Sequence, residues 1–582
     1  MNQKFSILFA SLIMTNTVLA ATPIDLRHQP FTSLPHYMAT QKTQLVTAQS
    51  HVDFNGVAHT RLQQTYAGYP VWNATAVVHT PKTTKTNNIK TMQGVIYKGL
   101  EIDLANTPNS ALSETQKTKA LEQAKMIYEQ KTGLKNRTYQ KESVKTIVFV
   151  DAANQAHYAY LVSFYHDDGK TGAHRPLFIL DATSLSVYRQ WDGVLTETAD
   201  AAIENLKKTL KSTLLGDSSN VDVTLDNPVI TLGGGTGGNE KIGSVVFDGS
   251  TPALPGLSMR VQAVTFHFPD GTINHEYGIC RFENDDAIVK DAAHQYEDDQ
   301  IVHENKDKVL TTLCKSTERE HNGVYWPDEK KMKEDMINGG YSPTVDALYG
   351  AQVIEKMYKE WYGIPVLTQA DHKTPLKLVM RVHYGDHYEN AFFDGEQMTF
   401  GDGDQEFYPL VSLDVAAHEI SHGFTVQHSN IDPFNIQMGA LHESFSDIAA
   451  KAAEYYIKGT NSWDLGRSIM KTDEAFRYMD NPTKDGGSID NMNNFDEKTM
   501  DDPHLVAGVF NKAFYLIATT PGWDTHKAFN VMVKANMDYW NASMQTLAEA
   551  ACGVVSATKD YQYNATDVSV AFSKVGIETD KC

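Results

Sequence analysis

Only four of the 582 residues are cysteine, at positions 280, 314, 552 and 582. No two of them form a CxxC pair, which excludes the close thiolate spacing of a structural zinc cluster. An even number in separated places fits two disulfides in an oxidising compartment, with three connectivities open to four cysteines. The local pairs Cys280 with Cys314 and Cys552 with Cys582 are favoured, because the two segments fall in different halves of the chain. Positive charge is also scarce. Lys and Arg number 51 against 72 Asp and Glu, a net charge of −21, which argues against nucleic acid or an anionic membrane as a partner. Beyond the N-terminus there is no apolar run long enough to cross a bilayer, and no repeat of solenoid period.

What is present is ordinary globular composition, 41% hydrophobic and 21% charged, over a length that suggests three or four domains. Lys4, the apolar run from Phe5 to Met14 and then Val18-Leu19-Ala20 read as a secretory signal over residues 1–20, cleaved after Ala20. The run is too short for a membrane anchor. A secreted, extracellular protein with no membrane attachment after cleavage is therefore expected, and a monomer.

Residues 21–110 alternate in polarity, as in His59 to Tyr66, before turn residues such as Gly68 and Pro70; that reads as β structure. Ser113 to Lys131 changes to a helical period, with Ala120, Ala124 and Ile127 on one face. Thr146–Val150, Tyr158–Tyr165, Leu177–Leu180 and Ser186–Gln190 then read as strands. Two small α+β modules, 21–110 and 111–195, are expected. Residues 196–238, ending in Leu232-Gly233-Gly234-Gly235-Thr236-Gly237-Gly238, read as an exposed, cleavable linker. Residues 239–411 are mixed and β-rich, with a strand expected over Leu376–His383. Residues 412–582 are helical, with helices expected over Ser412–Gln427, Glu443–Lys458, Ala507–Ala518 and Thr525–Tyr539. The fold class is α+β, with a cleft expected between the last two units.

Within the first of those helices stands His418-Glu419-Ile420-Ser421-His422. Histidines at i and i+4 share a helix face and can reach one ion, and Glu419 beside them can meet a water without competing as a ligand. A bare HExxH also arises by accident, so the third ligand decides. Downstream, His442-Glu443-Ser444-Phe445-Ser446-Asp447 lies on another expected helix. Glu443 is the third-ligand candidate for Zn²⁺. His442 faces another way from Glu443, and Asp447, one turn on, can accept the outer N–H of a ligand histidine.

At this point the chain resembles the thermolysin family, most closely its pseudolysin-like branch, over residues 235–582. Asn390-Ala391-Phe392-Phe393-Asp394-Gly395 is similar to the family's edge strand. Phe407 to Asp414 leads into the HExxH helix as in that branch. Phe476-Arg477-Tyr478-Met479-Asp480-Asn481-Pro482 and Asp502-Pro503-His504 resemble two further active-site segments. Gln63 to Trp72 resembles the fungalysin/thermolysin propeptide motif, and residues 115–193 resemble a PepSY module.

The resemblance implies a zinc endopeptidase made as a precursor, acting on protein and peptide substrates, with its own propeptide as an inhibitory and chaperone-like partner. It implies that Glu419 is the base and that His504, oriented by Asp502, stabilises the oxyanion. Asn390 and the Ala391 carbonyl would bind substrate backbone, and Arg477 a substrate carbonyl. Leu410, Val415 and Phe476 would line a pocket for a large hydrophobic residue after the scissile bond. Both local disulfides fall where that branch has its own. Three departures stand out. The loop between His422 and Glu443 is one residue longer than usual, and Ile431-Asp432-Pro433-Phe434-Asn435 lacks the family's oxyanion-binding tyrosine. Of the family's Ca²⁺ ligands, Asp414 and Glu454 are matched, but Lys451 and Ser462 stand where carboxylates are expected. An ammonium there repels a cation, and Lys451 is expected to pair with Asp414 or Glu454 in its place. An aminopeptidase with HExxH and a distant Glu is disfavoured because no GxMEN-like segment precedes His418. An inactive binding protein is disfavoured because Glu419 and His504 are both kept.

Overall fold

A computed structural model describes residues 21–582, apart from 27–28, 30–41, 53–56, 81–90, 106, 133–138, 168–172, 175, 193–221, 252–253, 269, 295–307, 317–322, 370 and 434. The expected signal, residues 1–20, lies outside the described residues.

The first unit is a twisted sheet with one long helix. Strands 43–52, 58–66, 69–80 and 91–98 form an antiparallel run, extended by Thr22–Asp25. Strands 140–150, 156–167, 176–181 and 187–192 form a second. The two expected modules are joined edge to edge where Val71 pairs with Val148 in parallel. Helix Glu114–Thr132 buries Ala120, Ala124 and Tyr128 among Val148, Tyr160, Phe164 and Phe178, the face its period marks out.

In the second unit, strands 229–233, 257–267, 273–281, 311–316 and 325–327 pair in a closed ring, with 222–225 added on one side. Cys280–Cys314 ties neighbouring strands of this ring, and Cys552–Cys582 ties helix Leu547–Asp560 to the chain end. The linker expected over 196–238 is therefore too long. Asp222–Leu225, Val229–Gly233 and Gly235–Asn239 are strands paired into the second unit. The glycines that suggested an open segment instead admit close packing: a Cβ on Gly234 would lie 2.2 Å from the Trp326 ring, and one on Gly237 2.0 Å from the Asp346 carboxylate.

A smaller sheet, order 308–309, β1 (Ala287–Asp291), β2 (Leu378–Tyr384), β4 (Met398–Gly401) and β3 (Ala391–Phe393), ends on β3 at the cleft. Behind it runs α1 (Pro343–Tyr362), capped by Ser342, whose Oγ accepts from Val345 N, and stopped by Gly363 in the left-handed region. Ser412 precedes α2 (Leu413–Gln427), which carries HExxH. Asn435 accepts from Gln437 N and Met438 N to start α3 (Ile436–Lys458), which Gly459 ends. This helix begins at Ile436, before the expected Glu443, because the Asn435 side chain satisfies amides that a helix end leaves bare. α4 (Pro503–Ala518) starts on Asp502. One hydrophobic core spans both halves, from Met259 and Val353 through Ile420 and Ile448 to Val509 and Phe572. The cleft is thus a groove in one packed body.

The first unit docks on the helical half. Arg61 donates to the carbonyls of Trp540, Asn536 and Met537 at 3.0, 3.1 and 2.5 Å. Arg189 and Asn73 reach Asp432, at 2.9 and 3.2 Å.

Candidate active site

Because α2 and α3 pack side by side, residues one helical turn apart on each converge. Donor atoms of His418, His422 and Glu443 lie within 4.8 Å of one another and could hold one metal ion. His418 Nε2 is 3.0 Å from His422 Nε2 and 3.1 Å from Glu443 Oε2.

The outer nitrogens are spoken for. Asp447 Oδ1 lies 2.9 Å from His418 Nδ1, so the network places the proton there and turns the Nε2 lone pair inward. His422 Nδ1 lies 2.7 Å from His442 Nδ1 and 3.2 Å from Ser446 Oγ. Burial, opposed by Glu443 and aided by His418, lowers His442 to about 4, so it is neutral and accepts from His422. Two lone pairs then face one another at 3.0 Å, an arrangement that a cation between them relieves. Two imidazoles and a carboxylate with room for a further ligand fit catalytic zinc.

Asp447 is fully buried and makes four bonds. Besides His418 it accepts from Arg477 Nε at 2.7 Å, Arg477 Nη2 at 2.6 Å and Asn511 Nδ2 at 2.8 Å. Burial raises its pKa, but Arg477 and His418 outweigh that and hold it well below the usual carboxylate range. Sequence reasoning had found Asp447 but not Asn511, nor His442 and Ser446 as partners of His422. A direction argument that removes His442 as a ligand does not remove it from the ligand's far side.

Glu419 is buried beside this set, and burial raises its carboxyl to about 7, with Glu443 adding to the rise. His504, half exposed at the start of α4, places Nδ1 2.8 Å from Asp502 Oδ1 and Nε2 3.2 Å from Glu443 Oε2. Burial lowers its pKa, and the bonds to Glu443 and Asp502 win, so it is raised.

His418, Glu419, His422, Glu443, Asp447 and His504 line one cleft of about 410 Å³ with Asn390, Ala391, Leu410, Val415, Phe476 and Arg477. Its far wall is β3, the last strand of its sheet, with Asn390 Oδ1 turned onto Ala391 N at 2.9 Å. No tyrosine lines this cleft among the described residues. Phe434 lies outside them. A larger cavity of about 790 Å³ lies on the other side of Asp414, but no set of convergent metal donors faces it among the described residues.

The thermolysin metallopeptidase catalytic-domain model matches residues 272–426, and the alpha-helical-domain model matches 433–577. The chain belongs to the thermolysin family. It is a zinc metalloendopeptidase, and the fungalysin/thermolysin propeptide motif over residues 43–92 places a propeptide at its N-terminal end. A zinc metalloproteinase of Legionella pneumophila is 38% identical over 98% of this chain and 97% of its own. The zinc metalloproteinase MspA of Legionella longbeachae is 38% identical over the same shares. A neutral protease of Vibrio proteolyticus is 34% identical over 90% of this chain and 71% of its own.

At the expected calcium position the structure places the Lys451 ammonium. Lys451 is buried with Nζ 2.9 Å from Glu454 Oε2, 3.2 Å from Ser462 Oγ and 2.5 Å from the Asp464 carbonyl. Its partner is Glu454 rather than Asp414, whose oxygens accept from Ser412 Oγ at 2.6 Å and Gly466 N at 2.8 Å. The ammonium lies among the oxygens a cation would need.

Proposed function

We propose that this chain is exported as a precursor and acts outside the cell as an endopeptidase that prefers a large hydrophobic residue after the scissile bond. In this reading residues 1–20 are the signal, processing falls within 196–221, and the docked first unit is the inhibitory propeptide. His418, His422 and Glu443 would hold the zinc, which when bound would supply Lewis acidity to a peptide carbonyl and lower the pKa of water.

The protein's own groups do the rest. A peptide laid along β3 is held through its backbone by Asn390 and the Ala391 carbonyl, as an added strand. Glu419, desolvated and raised toward neutrality, takes the proton of the attacking water and returns it to the leaving nitrogen. His504 Nε2–H donates to the developing oxyanion, with Asp502 fixing the ring. Arg477, locked by two bonds to Asp447, presents its remaining N–H donors to a substrate carbonyl.

The preference rests on one observation: Leu410, Val415 and Phe476 sit together in the cleft that also holds Glu443 and Arg477. Mass-spectrometric mapping of cleavage sites in denatured proteins tests it. New N-termini should be dominated by Leu, Phe and similar residues, and Val415→Phe should shift the profile to smaller ones. A profile rich in charged residues, or unmoved by that change, would overturn the assignment.

A further inference from the structure

We propose that His294, His383 and Asp402 form a second site for a divalent transition metal of the zinc class, outside the cleft. His383 lies in β2, buried, with Nδ1 3.0 Å from Asp402 Oδ1 and Nε2 3.0 Å from Asp335 Oδ1. His294 lies beyond β1, half exposed, with Nδ1 3.2 Å from Asp402 Oδ2. One donor atom from each of the three lies within 4.8 Å of the others, a convergence matched among the described residues only by His418, His422 and Glu443.

Three features argue for more than a buried ion pair. The first is the carboxylate behind the ligand. Asp335 also accepts from Thr344 Oγ1 at 2.7 Å, Thr344 N at 3.3 Å and Ser342 Oγ, so it is fixed in place at the start of α1. Its bond to Nε2 sets the His383 tautomer with the Nδ1 lone pair toward Asp402. That repeats the Asp447–His418 relation of the catalytic site and is the usual support of a metal-bound histidine. The second is backbone strain. His383 and His294 have φ of +56° and +60°, with Ala293 at +51°. Such conformations are costly for a non-glycine residue and gather at binding sites. Here they turn both rings to one carboxylate, braced by a bond from His294 N to the His383 carbonyl at 2.8 Å. The third is access. His294 is half exposed beside the buried His383 and Asp402, while the imidazole-rich donor set suits zinc better than calcium.

The metal-free alternative is a buried imidazolium between two aspartates. Burial lowers the pKa of His383, and its bonds to Asp335 and Asp402 raise it to about 11. That alternative needs no His294. A bound ion would tie the end of β1 to Asp402, directly after β4, where Gly401 N holds the Asn390 carbonyl at 3.0 Å. The site would therefore brace the substrate-binding edge without touching substrate.

Metal content of the full-length precursor, equilibrated with micromolar Zn²⁺ and freed of excess by gel filtration, tests the proposal. Wild type should hold two zinc ions per chain and His294→Ala one. His418→Ala should also retain one, which separates this site from the catalytic one. Co²⁺-loaded wild type should show a visible absorption band that His294→Ala loses in part. One ion per wild-type chain, or two ions in both wild type and His294→Ala, overturns it.

Discussion

The Asp447 carboxylate bonds both His418 and Arg477, so in the proposed mechanism it couples zinc affinity to substrate binding, and Asp447→Asn is the most informative substitution. The wild-type group is completely buried and accepts from His418, from two nitrogens of Arg477 and from Asn511. Asparagine keeps the shape but removes the charge and replaces one acceptor by a donor. Arg477, half-buried against the fully buried Asp447, then loses its counter-charge. Removing one partner of a buried pair costs about 3–5 kcal/mol. Loss of the orienting bond behind a ligand histidine lowers metal affinity about 10–100-fold. Competition with a coloured chelator measures the zinc affinity, and urea unfolding of the zinc-loaded precursor measures stability. The midpoint should fall and the zinc dissociation constant rise by that factor. KM for a peptide should rise as well, because Arg477 is no longer aimed. Wild-type zinc affinity in Asp447→Asn would refute the orienting role, and an unchanged KM would refute the coupling to Arg477.

Other expectations follow from the same geometry. His504→Ala should lower kcat by about 10²–10³-fold with zinc content unchanged, read from steady-state kinetics and metal analysis on one sample. The thermal midpoint should not respond to EGTA, whereas Lys451→Glu with Ser462→Asp should create a calcium-dependent midpoint, seen by scanning calorimetry. Acid should loosen the docked first unit. His79, stacked on Tyr539 and 2.7 Å from His59, is lowered to about 3 by burial and by His59, against Asp538. A separated histidine titrates near 6.5, so the docked state binds fewer protons. Docking is strongest above about pH 6.5 and weakens progressively toward pH 3. Release of the first unit from the Glu419→Ala precursor nicked in its linker, followed by gel filtration, should be faster at pH 5 than at 7.5. His79→Phe should remove much of that difference.

Much of this was legible in the sequence because the ligand spacings coincide with helix periodicity. His418 and His422 are one turn apart, as are Glu443 and Asp447, and each pair announces a face. The α+β division and both disulfide pairs were also legible. Helix α1 was not: Val345, Leu348, Ala351, Val353, Ile354 and Met357 are all buried, so apolar residues occur nearly all round and no stripe stands out. The glycine run at 232–238 misled for a different reason, since sequence does not show which glycine yields space to Trp326 or Asp346. Long-range partners are the hardest to read. Asn511 on α4 and Asp335 beside α1 gain their roles only through packing of distant elements, and the His294–His383–Asp402 cluster joins three separate segments.

Zinc content and turnover of an internally quenched peptide, measured together on processed wild type and Glu419→Ala, separate metal binding from proton transfer. Both proteins should hold the catalytic zinc, because Glu419 is not among its ligands, and only the wild type should cleave. Equal cleavage by the two at equal zinc content would remove Glu419 from the role of base.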